Sequence, residues 1–383
     1  MNILYLADPN SIHDIKWMAY FSKSHQCFLI ARKAHLVNWD EEKLHEFHNN
    51  YNINILGHVD DFSIKKFYSN IKEAKRIKKL IDKHSINVFH ILYTEPNGLW
   101  AYYRKNFNAP VVLTTRGSDI LLTIQRFFKR KDPLAFLLRY FYKKSFKQAD
   151  IITSTSTSQK QKIKSIFGRD DIQIIRTGVD ISKINISTEN DFPIEFPSDK
   201  PYLFFPRNMK CLYNHEFSVD AIFLLPEKIK HQYSFVFIDK DGADKNYIEH
   251  IKKKMDADKK IDFIFLNRQP QLSVFELYKR ASLVVMNSIS DGSPVSAMEA
   301  MACKTPVILP PLNYDTDIFN DETVTFFGEW KPESLALCIE KLLQPSEALN
   351  NKINNAYEVV RKHGNYENEM MRLENIIRSL CKE

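Results

Sequence analysis

The stretch SISDGSPVSAMEAMACKTPVILP, residues 288–310, decides how this chain is read. It opens in a Gly/Ser/Pro turn, runs through an Ala/Met-rich segment of helical character and ends in a β-branched run. The residues before it, ASLVVMN (281–287), read as a buried strand, so the turn sits at a strand's carboxyl end. Ser293 and Pro294 read as a helix start, with serine as the cap and proline in the first turn, where its missing N–H costs nothing. Amides of a first helical turn carry partial positive charge, which suits an anion such as a phosphate. Two acids, Asp291 and Glu299, flank this start with seven residues between them. A carboxylate at Asp291 would repel a phosphate but could accept hydrogen bonds from sugar hydroxyls. Glu299 falls roughly 8–9 Å along the helix axis from its start. That is the reach from a diphosphate to a ribose, and a carboxylate accepting two vicinal hydroxyls is a ribose clamp. The same residues admit a purely structural reading, because Ser296 and Glu299 have capping-box spacing.

Outward from this stretch, short apolar runs alternate with amphipathic ones. NILYLA, QCFLIAR, INVFHILY, APVVLTT and DIITSTS read as strands, each followed by a helix-like segment. The polar, proline-broken segment ISKINISTENDFPIEFPSDKP reads as a linker, and the alternation then restarts with YLFFP, YSFVFID, IDFIFL, SLVVMN and TPVIL. Strand–helix alternation argues for parallel sheets covered by helices. The expected architecture is α/β: two Rossmann-like, doubly wound parallel-sheet domains facing across a cleft. The boundaries are residues 1–180, a linker at 181–200, a second domain at 201–365 and a helix at 366–383 that packs back on the first domain. Ligands of such sheets bind at the carboxyl ends of the strands, so the cleft is the expected site.

With 383 residues, two domains are the default. A hydrophobic content of 44% with 26% charge is ordinary for a globular chain and excludes disorder as the theme. The five cysteines are scattered singly, without CxxC pairs, which argues against a structural zinc or a disulfide framework. MNILYLAD reads as a first strand and not a signal peptide, and no apolar run is long enough to span a membrane. A cytoplasmic protein, peripheral at the inner face of the membrane, is the expectation. The net charge of +7 is uneven: residues 1–180 carry 29 Lys/Arg against 17 Asp/Glu, and residues 181–383 carry 25 against 30. Such a split points to an anionic partner for the first half. The segment RFFKRKDPLAFLLRYFYKKSFK (126–147) holds eight basic residues, one acid and seven aromatics. It suits an anionic membrane surface, and no nucleic-acid-binding motif accompanies the charge.

SDGSPVSAMEAMACKTPVIL resembles the nucleotide-sugar motif of the retaining glycosyltransferase family 4, an acid followed after seven residues by Glu. LTTRGSD (113–119), ADIITSTSTSQKQKI with IIRTGVD (174–180), and FFPRNMKCLYNHEFSVDAI resemble further motifs of that family, in its order. The resemblance implies the GT-B fold and transfer of a sugar from a nucleoside diphosphate donor, UDP or GDP, with retention at the anomeric carbon. It implies catalytic roles for Arg207, Asp291 and Arg116. Glu299 would hold the ribose. Asp291 and the backbone at Gly292, Ser293, Pro294 and Val295 would hold the donor sugar and diphosphate, and Lys210 and Arg268 are counted with the donor-binding residues. Arg207 would neutralise the leaving diphosphate, whose oxygen takes the acceptor proton. His13 and Asp119 are assigned to the acceptor, a glycan or lipid-linked glycan of surface polysaccharide assembly.

The chain departs from the family pattern at named positions. Arg116 stands where the family has His, which points either to a different, acidic sugar or to a weakened enzyme. Leu212 stands where the diphosphate-binding Lys is usual, five positions after Arg207, and Lys304 replaces a common Gly. The pair Asp239 and Asp241 has the D-x-D spacing of a metal site but also that of a turn, and no metal is expected. A non-catalytic relative serving as a partner subunit, or a sugar-nucleotide epimerase of similar fold, are the alternatives.

Overall fold

The computed structural model describes residues 1–193, 196–238 and 244–381; Asp239 and Asp241 lie outside the described residues. The chain forms two compact units, residues 1–177 with 368–383, and residues 178–367.

In the first unit the strands are β1 (Asn2–Leu6), β2 (Gln26–Arg32), β3 (Ile53–Val59), β4 (Val88–Leu92), β5 (Val111–Thr114), β6 (Ile151–Ser154) and β7 (Gln173–Ile174). Among the described residues they make a parallel sheet in the order β3-β2-β1-β4-β5-β6-β7. The apolar runs identify β1, β2, β4, β5 and β6, whereas the edge strands β3 and β7 escape pattern reading. β3 is only buried at its two ends and carries a register shift against β2 between Leu29 and Ile30, so its side chains do not write a clean alternation.

In the second unit β8 (Tyr202–Phe205), β9 (Ser234–Ile238), β10 (Asp262–Leu266), β11 (Leu283–Val285), β12 (Val307–Leu309) and β13 (Thr325–Phe326) pair in the order β10-β9-β8-β11-β12-β13. Alternate residues feed two cores. Tyr202, Phe204, Val236, Ile238 and Val284 face one helical layer, and Leu203, Phe205, Phe235, Phe237 and Val285 the other. Burial on both faces is why these strands read as continuous apolar runs. In each unit the order reverses beside the first strand, at β1/β4 and at β8/β11. Such switch points open a crevice at the strands' carboxyl ends.

The segment expected as a linker is part of the second unit. Asp180 caps a helix at Ile181–Ile186, whose Ile181 and Ile184 are buried, Ile184 in the core. Its polar, proline-rich composition hides two well-spaced anchors. Gly178 has φ +66° and would place a Cβ 2.6 Å from the Cα of Tyr366, so no other residue fits there. Val179 N–H bonds Gly364 O at 2.7 Å, and Tyr366 N–H bonds Val179 O at 2.9 Å, tying the start of the unit to its end.

The final helix, Tyr366–Leu380, docks on the first unit from residue 368 onward, as expected for a helix without a partner strand. Glu369 is buried and accepts the Arg176 N–H at 2.7 Å, and Glu374 bonds His25 Nε2 at 2.9 Å.

Candidate functional site

The second unit gathers most of the residues singled out by sequence. Arg207 follows β8, and Asp291 lies in the loop after β11, so both stand at the switch point. Arg207 Nη2 donates to Asp291 Oδ2 at 3.1 Å, and its Nη1 donates to Ser296 Oγ at 3.1 Å. The guanidinium carbon lies 4.2 Å from the ring centroid of Tyr213, a stacked cation–π contact. Burial raises the Asp291 carboxyl above its ordinary value, opposed by the Arg207 charge and by the amides of Gly292 and Ser293. Gly292 N–H donates to Asp291 Oδ1 at 2.9 Å. Asp291 thus orients Arg207, and its two oxygens, each taking one of these donors, keep acceptor capacity for a sugar hydroxyl.

The helix begins at Val295 with Pro294 as its cap residue, one position later than expected. Ser293 does not cap it, and its buried hydroxyl makes no hydrogen bond within the described residues. Ser296 is not a capping-box residue either, since its hydroxyl accepts from Arg207. Ala297 and Met298 N–H groups bond Pro294 O at 3.1 and 3.2 Å, which places the amides of Val295 and Ser296 ahead of the first helical bonds. Arg207 Nε is also buried without a hydrogen-bond partner. These donors, at the carboxyl ends of β8 and β11, suit an anionic group.

Glu299 projects from the helix and accepts Gln271 Nε2 at 2.9 Å on Oε1. Gln271 opens the helix Gln271–Arg280 after the β10 loop, which carries exposed Arg268. Lys210 is exposed in the loop after β8, and Leu212 O accepts the Ile289 N–H at 3.0 Å, bracing that loop against the one bearing Asp291. Lys304 adopts φ 58°, the left-handed conformation that glycine favours after a helix, and its Nζ lies 4.8 Å from the Tyr357 ring centroid. This departure from the family pattern is a helix-end substitution and leaves the site untouched.

Residues assigned to the first unit have other duties. Asp119 is fully buried. It accepts amides of Arg116, Gly117, Ile120 and Thr94 at 2.9–3.2 Å and the Thr94 hydroxyl at 2.6 Å. Its assignment to the acceptor is corrected: the carboxylate is saturated and holds the turn at Gly117, whose φ is +118°. A π-helical segment, Asp119–Ile124, follows this turn. Arg116 is engaged within the first unit, though its buried Nε and Nη1 make no hydrogen bond among the described residues. Its Nη2 bonds Asp14 Oδ1 at 3.1 Å, its guanidinium carbon lies 4.3 Å from the Trp17 ring centroid, and its side chain is 9% exposed. Asp14 offsets the charge of Arg116, as Asp291 does for Arg207. His13 is exposed on the helix Ile12–Phe21, which also carries Asp14 and Trp17, and its carbonyl accepts Arg116 Nη2 at 3.3 Å.

Sequence reading missed Gln271, Asp14 and Trp17. None lies in a motif, and each matters only through a contact made by the fold. It also missed two buried imidazoles. His215 Nε2 bonds Arg207 O at 3.0 Å, and His90 Nε2 bonds Thr114 Oγ1 at 2.7 Å. Burial lowers their pKa values to about 4 and about 3. As pH falls through the ordinary histidine value of about 6.5, the unfolded chain takes up protons that the folded chain refuses. Stability is therefore lost on acidification from that pH down to the folded values, by about 2 kcal/mol per histidine at pH 5. Thermal unfolding of wild type and His215→Asn between pH 7 and 5 checks this; the variant should show a shallower fall.

The family model for glycosyl transferases group 1 matches residues 186–359, and that for glycosyl transferase 4-like proteins matches residues 2–156. An uncharacterized glycosyltransferase of Methanocaldococcus jannaschii is 23% identical over 240 residues; the match spans 59% of this chain and 59% of that protein. Among solved structures, a glycosyltransferase from Rickettsia africae has a TM-score of 0.80 at 17% identity, covering 100% of this chain and 99% of its own. Anabaena HepE in complex with UDP has a TM-score of 0.77 at 12% identity, covering 99% of this chain and 100% of its own. Sucrose-phosphate synthase of Thermosynechococcus elongatus has a TM-score of 0.73 at 16% identity, covering 99% of each chain. These structural likenesses are of fold. With one family model on each unit and a reversed parallel sheet in both, the chain belongs to the group 1 glycosyltransferases and has the GT-B fold.

Proposed function

We propose that the protein moves a sugar from a nucleoside diphosphate sugar to a glycan or lipid-linked acceptor of surface polysaccharide assembly, with retention at the anomeric carbon. The observation that carries this reading is Arg207, held at the β8/β11 switch point by Asp291, Ser296 and Tyr213, beside the amino end of the helix that bears Glu299. The bond from the anomeric carbon to the phosphate oxygen breaks, and negative charge grows on that oxygen. A guanidinium already oriented by its neighbours stabilises this charge without reorganising. The bond to the acceptor oxygen forms, and the acceptor proton passes to the departing phosphate oxygen. Lys210 and Arg268 add positive charge to the donor side, and transfer is expected to continue in EDTA. Glu299, steadied by Gln271, takes the ribose hydroxyls. Anabaena HepE has been seen with UDP and with UDP-glucose, which makes UDP-glucose the first donor to assay, followed by GDP sugars.

The test is a thermal-shift panel of nucleotides and nucleotide sugars, since a ligand that binds only the folded state raises the melting temperature. UDP or GDP should stabilise the wild type. Glu299→Ala should weaken that nucleotide about 10-fold, the loss of a charged hydrogen bond, and Gln271→Ala less. A shift unchanged by Glu299→Ala would remove the ribose assignment. Slow donor hydrolysis without acceptor separates a transferase from a non-catalytic subunit, the reading favoured by the neutralised Arg116. Conversion of free donor to an epimer would mark the third alternative.

A further inference from the structure

The helix Pro133–Gln148 presents a face that the first unit leaves bare. Asp132 caps it by accepting the Ala135 N–H at 3.0 Å, with Pro133 in its first turn. Ala135, Phe141, Tyr142, Ser145 and Phe146 are buried against the unit. On the opposite face, Phe136, Tyr140, Lys143 and Lys147 recur at i, i+4, i+7 and i+11, with Leu137 and Lys144 alongside. All six are exposed, Phe136 by 65%. The order along the helix is polar in its own way: apolar and aromatic side chains lie in the amino-terminal half, and lysines in the carboxyl-terminal half.

The apolar surface continues beyond this helix. Phe67 packs its ring 5.9 Å from that of Phe141 and 6.4 Å from that of Tyr102, and the next residue, Tyr68, is 83% exposed. Lys65, Lys66 and Lys72 are exposed around this second cluster, and Lys129 and Lys131 precede the first. The only acid between residues 126 and 147 is Asp132, which Arg130 Nε neutralises at 2.7 Å. Exposed aromatics inside a collar of uncompensated lysines make a surface that is apolar at its centre and cationic at its rim. Among the described residues no helix is long and apolar enough to cross a membrane.

We infer that this face docks on an anionic phospholipid bilayer: Phe136, Leu137, Tyr140 and Tyr68 enter the headgroup–acyl boundary, and Lys143, Lys144 and Lys147 meet lipid phosphates. The charge complementarity selects the occupant. Lysines near an anionic leaflet are attracted to it, and the aromatic rings supply the interfacial anchoring that charge alone lacks. A nucleic acid would use the lysines but leave the phenylalanine and tyrosine rings without a role outside stacking on unpaired bases. The inference does not rest on the donor chemistry above, because binding to lipid is read without any nucleotide.

Flotation of the full chain with vesicles of phosphatidylglycerol and phosphatidylcholine tests it against vesicles of phosphatidylcholine alone. Binding should require the anionic lipid and fall at least 10-fold between low and 0.5 M salt. The triple variant Phe136→Ser/Leu137→Ser/Tyr140→Ser should lose most binding at constant charge, and Lys143→Glu/Lys144→Glu should lose it at constant apolar area. Both sets are surface positions; matching melting temperatures with wild type, and unchanged nucleotide shifts, show that the fold and donor site survive. Equal binding to neutral and anionic vesicles, no binding at low salt, unaltered binding by the aromatic variant, or preferential capture of single-stranded nucleic acid over anionic vesicles would each overturn the inference.

Discussion

Replacing Arg207 by alanine should lower kcat by about 10²- to 10³-fold, the loss expected when a donor aimed at developing charge is removed. It should also destabilise the second unit, because Asp291 would keep a buried carboxylate without its cation. Removing one partner of a fully buried pair costs about 3–5 kcal/mol; with the two side chains 16% and 17% exposed, the loss here should be smaller. A protein that is merely less folded would be less active too, so the two effects must be separated. Arg207→Ala/Asp291→Asn does this: the buried charge is gone, and much of the lost stability should return, while turnover stays at the level of Arg207→Ala. Arg207→Lys should recover only part of the rate, since an ammonium cannot reproduce the two directed bonds to Asp291 and Ser296 or the stack on Tyr213. Steady-state kinetics on folded protein decide the matter. If Arg207→Ala turns over within a few-fold of wild type, the leaving diphosphate is neutralised by some other group.

Asp14→Ala should destabilise the first unit by about 3–5 kcal/mol. Asp14 is one of the most buried carboxylates of the unit, 6% exposed at the side chain, and faces an arginine side chain that is 9% exposed. It also accepts the Asp8 N–H at 3.0 Å, fastening the loop after β1 to the first turn of the helix Ile12–Phe21. Without it, Arg116 would keep one hydrogen bond, to His13 O, and its face on Trp17, while Nε and Nη1 already lack partners. Burial already lowers the Arg116 pKa, opposed first by Asp14 and then by Asp119, so deleting Asp14 removes the larger of the two opposing charges. Asp14→Ala/Arg116→Met should be far less damaging, because an apolar side chain of similar length fills the slot without charge. Denaturant unfolding followed by amide exchange in Ile12–Phe21 reads the affected unit directly. A loss below about 1 kcal/mol for Asp14→Ala would show that solvent reaches Arg116 and that the pair is not buried in solution.

Several features of the site were legible because the chemistry they need is local. Asp291, Gly292, Pro294 and Glu299 lie within nine consecutive residues, and a strand, a turn and a helix start in that order leave little freedom in where they go. Arg207 was named by the family resemblance, and its place after an apolar run agrees, since the carboxyl end of a parallel strand is where the sheet presents side chains to ligand. What the motifs did not record is the internal partners: Asp119, in a turn rich in free amides, is taken up by them, and Arg116 pairs with an acid from another element. Asp14 lies 102 positions from Arg116, and no local pattern records such a pairing.

The succession of apolar runs and amphipathic segments by itself determined two parallel sheets, the helix at the carboxyl terminus and the turn that opens the helix of Glu299, because strand burial and helical periodicity are written in neighbouring residues. Tertiary structure alone decided which charges remain available. Whether a carboxylate or guanidinium faces a ligand or another side chain depends on what the chain brings within about 3 Å of it, and that is set by elements far apart in sequence. So Asp291 orients Arg207, Asp14 neutralises Arg116, and the aromatics of Pro133–Gln148 divide between core and surface according to how that helix lies on its unit.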